Sequence, residues 1–451
     1  MIGVATISHT KRPLVCVLDL RGDQRPLVGS GGPLAVVCGL PVLIRTLLVV
    51  ERMAFHRAVL LVHPEDADRV FGELNRHTRL KLVCRIERDS GSSAIPAVRA
   101  LVDLPPDSAI LYWPATVSFG RQPPVSTCPL MSAAETIEFS ADGFAAKNAC
   151  PALIMTSLGV LSAHGHLSPA ALCLFEEQRG RLLRAPLEVL PVIVTDSSST
   201  RRAEQVLLQS LRKDADGVVA RFDRNISLAI SRRLMALPIK PNHVTLFAAL
   251  VGIFCGWIVS RGGYVPMLVG AFAFQFNSIL DGVDGEIARA KLLESRAGQW
   301  LDTLADDLSN LAFMIGVSVG SYRTWGSRVY LALGAVSTLG FLIASTLMYH
   351  YLITRAHSGD LNDFALPWEE GEAGRRNLAL RAKGGISRVI GQIKWVARRD
   401  VYVFLCVVFG IFGQLRIMAW LFAAGTTMTW ATIIAYRGLV PLFQRAARQS
   451  T

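Results

Sequence analysis

The sequence contains no closely spaced pair of cysteines. Its 451 residues include eight cysteines, each standing alone, and no Cys-x-x-Cys arrangement. A disulfide framework or a structural zinc site needs cysteines at short, defined spacings. The pattern excludes both classes and predicts reduced, buried cysteines.

The N-terminal segment also lacks the features of a secretory signal. MIGVATISHTKRPLVCVLDL contains a Lys-Arg pair and no long apolar run that ends in a small-residue cleavage site. A signal peptide has both a continuous apolar core and such a site. We therefore do not expect this segment to be a signal peptide.

Apolar residues and positive charge, by contrast, are abundant. Hydrophobic residues make up 51% of the chain, and the formal net charge is +12. A basic, apolar chain of this length indicates a membrane protein of more than one domain with an anionic partner. Membrane lipids are expected partners, and nucleic acid is not.

Before residue 217, short apolar runs alternate with helical patterns, which indicates a parallel α/β layer. Runs of this length and composition are typical of strands buried on both faces. The four runs are PLVCVLDL (13–20), AVLLVH (58–63), KLVCRIE (81–87) and AILYWP (109–114). We predict a soluble, cytoplasmic α/β domain over residues 1–202, followed by a linker segment at 203–240.

After residue 240 the apolar runs lengthen to the roughly 20 residues that cross a membrane. Six such runs lie at 243–261, 264–280, 299–320, 328–353, 401–415 and 417–436. They predict an α-helical integral membrane domain of six transmembrane helices over residues 241–440, followed by a tail at 441–451.

Basic residues predict the orientation of these helices. Arginine and lysine crowd into residues 201–240, 281–298, 375–399 and 437–448, and are sparse in the other connections. Cytoplasmic loops are enriched in basic residues. We predict a multi-pass protein of the inner or plasma membrane, with its soluble domain, tail and aspartate-rich segment facing the cytoplasm.

Four aspartates follow the second predicted span. Asp281 and Asp284 are three residues apart, and Asp302 and Asp306 are four apart. At either spacing a pair shares one face of a helix. Four carboxylates cannot stay ionised together without cations, and all-oxygen ligands favour Mg²⁺ or Mn²⁺. We expect two ions, which can hold a phosphoryl group between them; a solvated helix cap is the simpler alternative.

Small residues and one arginine accompany the aspartates. Gly285, Ala288 and Gly298 remove side-chain bulk, which permits close helix packing or the approach of a nucleotide. Arg289 places a permanent positive charge where a diphosphate would lie.

The combined pattern, Asp281-x2-Asp284-Gly285-x2-Ala288-Arg289-x8-Gly298-x3-Asp302-x3-Asp306, resembles the signature of the CDP-alcohol phosphotransferase (phosphatidyltransferase) family at every fixed position. Upstream, RNISLAISRRLMALPIKPNHVT (224–245) resembles the segment that leads this family into the membrane. There an interfacial amphipathic helix precedes Pro-Asn-x-x-Thr, which opens the first span. The resemblance covers residues 217–440.

This resemblance implies a reaction. The family transfers a phosphate-bearing group from a CDP-linked donor, usually CDP-diacylglycerol, to the hydroxyl of an acceptor alcohol, and releases CMP. The four aspartates would bind two divalent ions, and Asp306 would also take the acceptor proton. The CDP site would be formed by Gly285, Ala288, Arg289, Gly298, Asn242 and Thr245. Alone, Pro-Asn-x-x-Thr indicates only a helix start with Asn or Thr as its cap. The family also implies a homodimer.

The soluble part and the link AEQVLLQSLRKDADGVVARF (203–222) resemble fused inositol-phosphate cytidylyltransferase/di-inositol-phosphate phosphate synthase proteins. In these, a Rossmann-like nucleotidyltransferase-type domain makes CDP-inositol, and the membrane domain joins it to a second inositol phosphate. Here LDLRGDQRP lacks the Gly-x-Gly-Thr-Arg pattern, Gly32 replaces the nucleotide-binding lysine, and AILYWPAT carries no aspartate. Little remains to stabilise phosphoryl transfer. We predict a degenerate domain for assembly, regulation or substrate docking.

Arginines near the fifth span are candidates for the acceptor site. Arg398 and Arg399 lie at the mouth of that span, and Arg296 lies between the aspartate pairs. Two arginines can clamp a phosphorylated acceptor such as inositol phosphate. Contact with anionic lipid headgroups is an equally simple alternative.

Three functions remain open at this point. The first is a membrane transferase of phospholipid biosynthesis that uses CDP-diacylglycerol and a polar alcohol. The second is a bifunctional or CDP-inositol-using di-inositol-phosphate phosphate synthase, against which the missing nucleotidyltransferase signature argues. The third is a non-catalytic lipid-binding scaffold, against which the complete set of aspartates argues.

Overall fold

The computed structural model describes residues 14–20, 33–53, 55–88, 109–114, 117–118, 135–140, 153–157, 181–186, 192–194, 196–212, 218–357, 359 and 399–434. The chain divides into two compact units. One comprises residues 1–212 with 290–292, and the other comprises residues 213–289 with 293–451.

The first unit is built on a mixed sheet of seven strands. In chain order, the strands of this unit are β1 (Leu14–Asp19), β2 (Val36–Val37), β3 (Leu40–Pro41), β4 (Arg57–Val62), β5 (Val83–Arg88), β6 (Ala109–Pro114), β7 (Val117–Ser118), β8 (Glu135–Ser140), β9 (Leu153–Ser157), β10 (Arg181–Pro186) and β11 (Val192–Ile193). The main sheet has the order β10-β8-β9-β6-β1-β4-β5, and two short pairs, β2–β3 and β7–β11, stand beside it.

The four strands predicted from the apolar runs lie side by side in this sheet and pair in parallel. β1 pairs in parallel with β4 and β6, and β4 pairs in parallel with β5. β9 was not predicted, and it runs antiparallel to β6 and β8. The α/β layer is therefore present, but the sheet is mixed rather than purely parallel.

Helices connect the parallel strands. α1 (Val42–Arg52) lies between β3 and β4, α2 (Ala67–Arg76) lies between β4 and β5, and α3 (Ser197–Ser210) ends the described part of this unit. The apolar sequence of α1 buries Leu43 and Leu47 in the same core as Leu18 and Leu60 of the sheet.

The prediction that β5 is buried on both faces was wrong. It is the end strand of the sheet, and its burial alternates. Cys84 and Ile86 pack against the core, whereas Val83 is 65% exposed. A strand at the edge of a sheet can have one face packed on the core and the other exposed to solvent. The apolar run alone did not show that β5 lies at the edge.

The second unit is helical. Its described helices are α4 (Val218–Met235), α5 (Pro241–Ser260), α6 (Tyr264–Ala290), α7 (Arg296–Trp325), α8 (Val329–Tyr351), which continues as a π-helical turn (Leu352–Ala356), α9 (Arg399–Ile411) and α10 (Arg416–Ile434). Three segments are long and apolar enough to cross a membrane: Pro241–Ser260, Val329–Thr354 and Arg416–Ile434. The other predicted spans fall on α6, α7 and α9, and their crossing of a membrane stays a prediction.

Glycines bring α5 and α7 into backbone contact. A Cβ added to Gly256 would overlap the carbonyl of Ala312, and one added to Gly316 would overlap the carbonyl of Gly256. Farther along, a Cβ on Gly320 would overlap the carbonyl of Val259, so the contacts advance in the same direction on both helices. The two helices are therefore parallel, and their N-terminal ends lie side by side.

Candidate metal and nucleotide site

The aspartates of the sequence pattern meet where α6 ends and α7 begins. Asp281, Asp302 and Asp306 each offer a carboxylate oxygen, and these oxygens all lie within 4.8 Å of one another. Asp284 lies close to Asp302 and accepts a hydrogen bond from the Thr245 hydroxyl. The four carboxyl groups therefore form one cluster, although the group of three does not include Asp284.

The cluster fits a divalent cation. Among the described residues, Asp302 Oδ1 is buried and has no hydrogen-bond partner. A buried carboxylate oxygen without a partner is costly, and a metal ion would satisfy it. A set of carboxylate oxygens is the donor chemistry that Mg²⁺ and Mn²⁺ prefer. Which residues coordinate an ion stays a prediction.

Arg399 lies inside this cluster. Its Nη1 atom is 2.9 Å from Asp281 Oδ2 and also forms an ion pair with Asp306 Oδ1. The first residue of α9 thereby contributes a positive charge between the two pairs of carboxylates. Of the other acceptor candidates, Arg296 is exposed at the first residue of α7, and Arg398 lies outside the described residues.

The residues assigned to the CDP site lie around the same helix ends. A Cβ added to Gly285 would be 3.2 Å from Arg289 Nη1, and one added to Gly298 would be 3.6 Å from Asn242 Oδ1. The carbonyl of Ala288 accepts a hydrogen bond from the Leu293 amide at 2.8 Å, where α6 ends. The absence of side chains at the two glycines leaves room beside a guanidinium and an amide.

Pro-Asn-x-x-Thr starts α5 at Pro241, as the simpler interpretation predicted, but neither Asn242 nor Thr245 is the cap. The N-cap of α5 is Lys240, which makes no side-chain capping bond. Thr245 instead donates its hydroxyl to Asp284, which ties the second turn of α5 to the carboxylate cluster. Asn242 is exposed.

Sequence reasoning missed polar residues next to the cluster. Asp307 accepts hydrogen bonds from Ser345 Oγ at 2.9 Å and from Tyr349 Oη at 2.5 Å. Asp307 directly follows Asp306, but its partners are 38 and 42 residues farther along the chain on α8. No local pattern could have predicted these pairs.

An apolar cavity of 580 Å³ begins one helical turn beyond the cluster. Asn310, four residues after Asp306, lines it together with Tyr402, three residues after Arg399. Tyr402 donates a hydrogen bond to Asn310 at 3.1 Å. The remaining lining residues are mostly apolar, so the cavity has a polar end towards the carboxylates.

The segment that contains the carboxylate cluster matches a known protein family. Residues 239–367 match the family described as CDP-alcohol phosphatidyltransferase. This segment includes every residue of the aspartate pattern. The C-terminal part of the chain thus contains an enzyme domain of the CDP-alcohol phosphotransferase type.

Curated relatives match a similar share of the chain. A "Bifunctional IPC transferase and DIPP synthase" from Aquifex aeolicus is 30% identical over 134 residues, which is 29% of this chain and 30% of the relative. A protein of the same name from Archaeoglobus fulgidus is 31% identical over 145 residues, or 32% of this chain and 29% of the relative. An "Archaetidylinositol phosphate synthase" from Pyrococcus horikoshii is 28% identical over 97 residues, or 21% of this chain and 50% of the relative. The chain spans less than a third of the first two relatives and half of the third.

Some solved structures align with less than half of this chain. An inositol-1-phosphate CTP transferase from T. maritima aligns with 43% of this chain and 94% of its own, at 8% identity and a TM-score of 0.34. A 4-diphosphocytidyl-2C-methyl-D-erythritol synthase from Anaerococcus prevotii aligns with 44% of this chain and 98% of its own, at 14% identity and a TM-score of 0.34.

Proposed function

We propose that this chain is a metal-dependent membrane transferase that moves a phosphatidyl or similar phosphate-linked group from a CDP-alcohol donor to a polar alcohol. The observation that carries the proposal is the cluster of carboxylates at the meeting of α6 and α7, within a domain of the CDP-alcohol phosphotransferase type. Two of the carboxylates belong to α6 and two belong to α7, so a ligand bound at the cluster would contact both helices.

In the proposed reaction, the acceptor oxygen attacks the phosphorus of the transferred group, and the bond from that phosphorus to CMP breaks. Asp306 takes the proton of the acceptor hydroxyl, as a general base. Asp281, Asp284, Asp302 and Asp306 would hold two Mg²⁺ or Mn²⁺ ions. Bound there, the ions would neutralise charge on the diphosphate and make CMP a better leaving group.

The CDP end of the donor is assigned to the residues around the glycines. Arg289, which lies against Gly285, would pair with diphosphate oxygens through its planar fork of donors. Ala288 and Gly298 would leave space for the nucleotide, and Asn242 beside Gly298 offers an amide. Thr245 acts indirectly, because its hydroxyl is already bonded to Asp284.

The apolar cavity supports a lipid donor such as CDP-diacylglycerol. Its volume is 580 Å³, and its polar end, formed by Asn310 and Tyr402, lies one turn from the carboxylates. A soluble donor such as CDP-inositol has no apolar part that would enter this space. A lipid donor would place acyl chains there and its diphosphate at the cluster.

A phosphorylated acceptor such as inositol phosphate is assigned to Arg399. Its guanidinium already contacts Asp281 and Asp306, so a phosphate beside the cluster would lie within reach of its other donors. Charge-assisted bonds to phosphate are strong and directional. The proposed site faces the cytoplasm, and the active protein would be a homodimer.

The test is the release of CMP by the purified full-length chain with Mg²⁺ or Mn²⁺. CDP-diacylglycerol is supplied with a panel of polar alcohols that includes inositol phosphate. We expect one acceptor to stimulate CMP release and to appear in a lipid product. If no acceptor stimulates release from CDP-diacylglycerol, while a CDP-linked soluble alcohol is consumed, the donor assignment is wrong.

A second candidate is a di-inositol-phosphate phosphate synthase that uses CDP-inositol. The observation in its favour is that two relatives carry the name "Bifunctional IPC transferase and DIPP synthase". Incubation with CDP-inositol and inositol phosphate distinguishes the two candidates, because only this one yields a water-soluble diester. Production of CDP-inositol from CTP by the same protein would extend the proposal to a bifunctional enzyme.

A further inference from the structure

Glu286 is a fully buried carboxylate that the proposed reaction does not use. It lies two residues after Asp284 on α6. The hydroxyls of Ser227 and Ser231 donate to its two oxygens, each at 2.6 Å, and Arg224 Nη1 donates at 3.0 Å. All three donors belong to α4. A buried charge is costly without partners, and these three hydrogen bonds offset the cost of burying Glu286.

The donors form one stripe along α4. Arg224, Ser227 and Ser231 follow one another at spacings of three and four residues, which places them on a single helix face. The same face also covers Gly282, where an added Cβ would be 3.6 Å from Ser227 Oγ and 3.7 Å from Arg224 Nη1. Helix α4 therefore packs along the turns of α6 that carry Asp281.

We propose that Glu286 is a positioning residue that fixes the carboxylates of Asp281 and Asp284 by locking the last turns of α6 against α4. The inference rests on the proposed function and extends it to residues outside the aspartate pattern. Glu286 and Asp284 are separated by about 200° around the helix, since each residue turns it by about 100°. The anchor thus holds the side of α6 that faces away from Asp284.

Hydrogen bonds suit this role better than apolar packing does. Charge-assisted bonds are short and directional. Three of them to one carboxylate define both the rotation of α6 about its axis and its height along α4. Metal affinity depends on the positions of the ligand atoms. Residues that do not touch the metal can fix these positions by holding the helix that carries the ligands.

A second polar contact between the same helices provides a matched control. Gln275 Nε2 donates to both carboxylate oxygens of Asp223, at 2.9 Å each. Gln275 precedes Glu286 by about 16 Å along α6, at about 1.5 Å per residue. Loss of this contact weakens the docking of α4 at a point six residues, or about 9 Å, before Asp281 on α6.

The experiment measures Mn²⁺ binding to the full-length protein in detergent by electron paramagnetic resonance, with Mn²⁺ alone as the probe. The double variant Ser227→Ala/Ser231→Ala is compared with Gln275→Ala and with the wild type. We expect the double variant to bind Mn²⁺ roughly tenfold more weakly, because two hydrogen bonds to a charged group are lost. We expect Gln275→Ala to keep the wild-type affinity, and thermal melting of each variant checks that it is folded.

Arg224 provides a second, independent comparison. Arg224→Lys retains a positive charge beside Glu286, whereas Arg224→Met leaves the buried carboxylate without its cation. We expect Arg224→Lys to restore most of the Mn²⁺ affinity that Arg224→Met loses. This rescue would distinguish positioning through the charge from simple loss of packing volume.

Two results would overturn the inference. One is wild-type Mn²⁺ affinity in the double variant, and the other is an equal loss of affinity in Gln275→Ala. A failure of the proposed function looks different, since the wild-type protein itself would then neither bind Mn²⁺ nor release CMP from a CDP-alcohol.

Discussion

Asp306 and Asp307 are adjacent carboxylates with different surroundings. Asp306 lies in the group of three carboxylates and pairs with Arg399, whereas Asp307 accepts hydrogen bonds from Ser345 and Tyr349. Neighbouring residues on a helix point about 100° apart, so the two side chains serve different contacts. This difference makes Asp307 a natural control for the proposed base.

We predict that Asp306→Asn lowers kcat by roughly 100- to 10,000-fold, the usual contribution of a general acid or base. Asp307→Asn keeps an acceptor oxygen for its two partners, and we expect a loss of less than about tenfold, as for a hydrogen bond that is kept but weakened. The measurement is the rate of CMP release at saturating metal and donor. Equal losses in the two variants would contradict the assignment of the base.

Arg399 is predicted to serve the acceptor. Arg399→Gln should raise the KM for a phosphorylated acceptor at least tenfold, since a hydrogen bond to a charged group contributes about 1.5–3 kcal/mol. The same variant should bind Mn²⁺ more tightly, because the guanidinium no longer pairs with Asp281 and Asp306.

The control for this variant is Arg416→Gln. Arg416 stacks over Trp325 with its Cζ atom 5.0 Å from the ring centroid, away from the carboxylates. It should leave both the acceptor KM and Mn²⁺ binding unchanged. An unchanged KM in Arg399→Gln would remove Arg399 from the acceptor site.

At the scale of elements, the close approach of α5 and α7 positions the site. The backbones meet at Gly256 and Gly316, and α5 thereby brings Thr245 to the cluster that α7 helps to form. No pair of larger residues could allow this distance. Small residues at helix interfaces have the same effect in many membrane proteins.

We predict that Gly256→Ala destabilises the helical unit by about 1–3 kcal/mol, the usual cost of overpacking. The matched change is Gly425→Ala on α10, where an added Cβ meets nothing within 4 Å. That change should be neutral or slightly stabilising. Thermal midpoints of the purified variants check both expectations, and equal midpoints would contradict the packing argument.

The start of α3 contains a titratable cap in the first unit. Asp196 accepts a hydrogen bond from the Ser199 amide at 2.8 Å, and its hydrogen bonds with the Ser199 side chain, the Ser199 amide and Ser198 lower the pKa of Asp196 to about 2. The pKa of an aspartate in the unfolded chain is about 3.9. A carboxyl whose pKa is lower in the folded state stabilises the helix when the pH is above that value. This contribution is lost as the pH falls from about 4 to about 2.

We therefore expect the Ser199 amide to lose protection from hydrogen exchange across that range of pH. Asp196→Asn should be insensitive to pH there, because Asn caps helices without titrating. A wild-type protection factor that is the same at both ends of the range would show that the carboxylate does not hold the cap.

At the scale of the whole molecule, the basic segments predict which residues face the cytoplasm. Ser327 and Ala236 are small and exposed. The predicted topology assigns them to opposite sides of the membrane. In intact cells, Ser327→Cys should react with a membrane-impermeant maleimide. Ala236→Cys should react only after lysis, and the wild-type chain, in which four of the five described cysteines are buried, measures the background. The reverse pattern of labelling would invert the orientation.

The sequence predicted those parts of the structure that depend on local spacing. The intervals within Asp281–Asp306 placed carboxylates on common helix faces, and their meeting followed from two adjacent helix ends. The four apolar runs predicted strands because their length and composition are also local features of the sequence. Antiparallel β9 and the exposure of β5 depend on the sheet as a whole, and no local run contains that information.

The contacts that complete the site could not be predicted. Glu286 finds its partners on α4, and Asp307 finds its partners on α8. These pairs depend on how α4 packs on α6 and how α8 packs on α7, which no local spacing in the sequence describes. Two residues that contact the aspartates were named beforehand: Arg399, as an arginine at the start of a predicted span, and Thr245, through the family resemblance.

The most direct test of the account is the metal dependence of CMP release from CDP-diacylglycerol by the purified full-length chain. We predict that EDTA abolishes release, that Mn²⁺ or Mg²⁺ in excess restores it, and that the product contains the transferred lipid phosphate on the acceptor. Release of CMP at the same rate in EDTA would contradict the account, since the carboxylate cluster would then have no role in holding metal for the reaction.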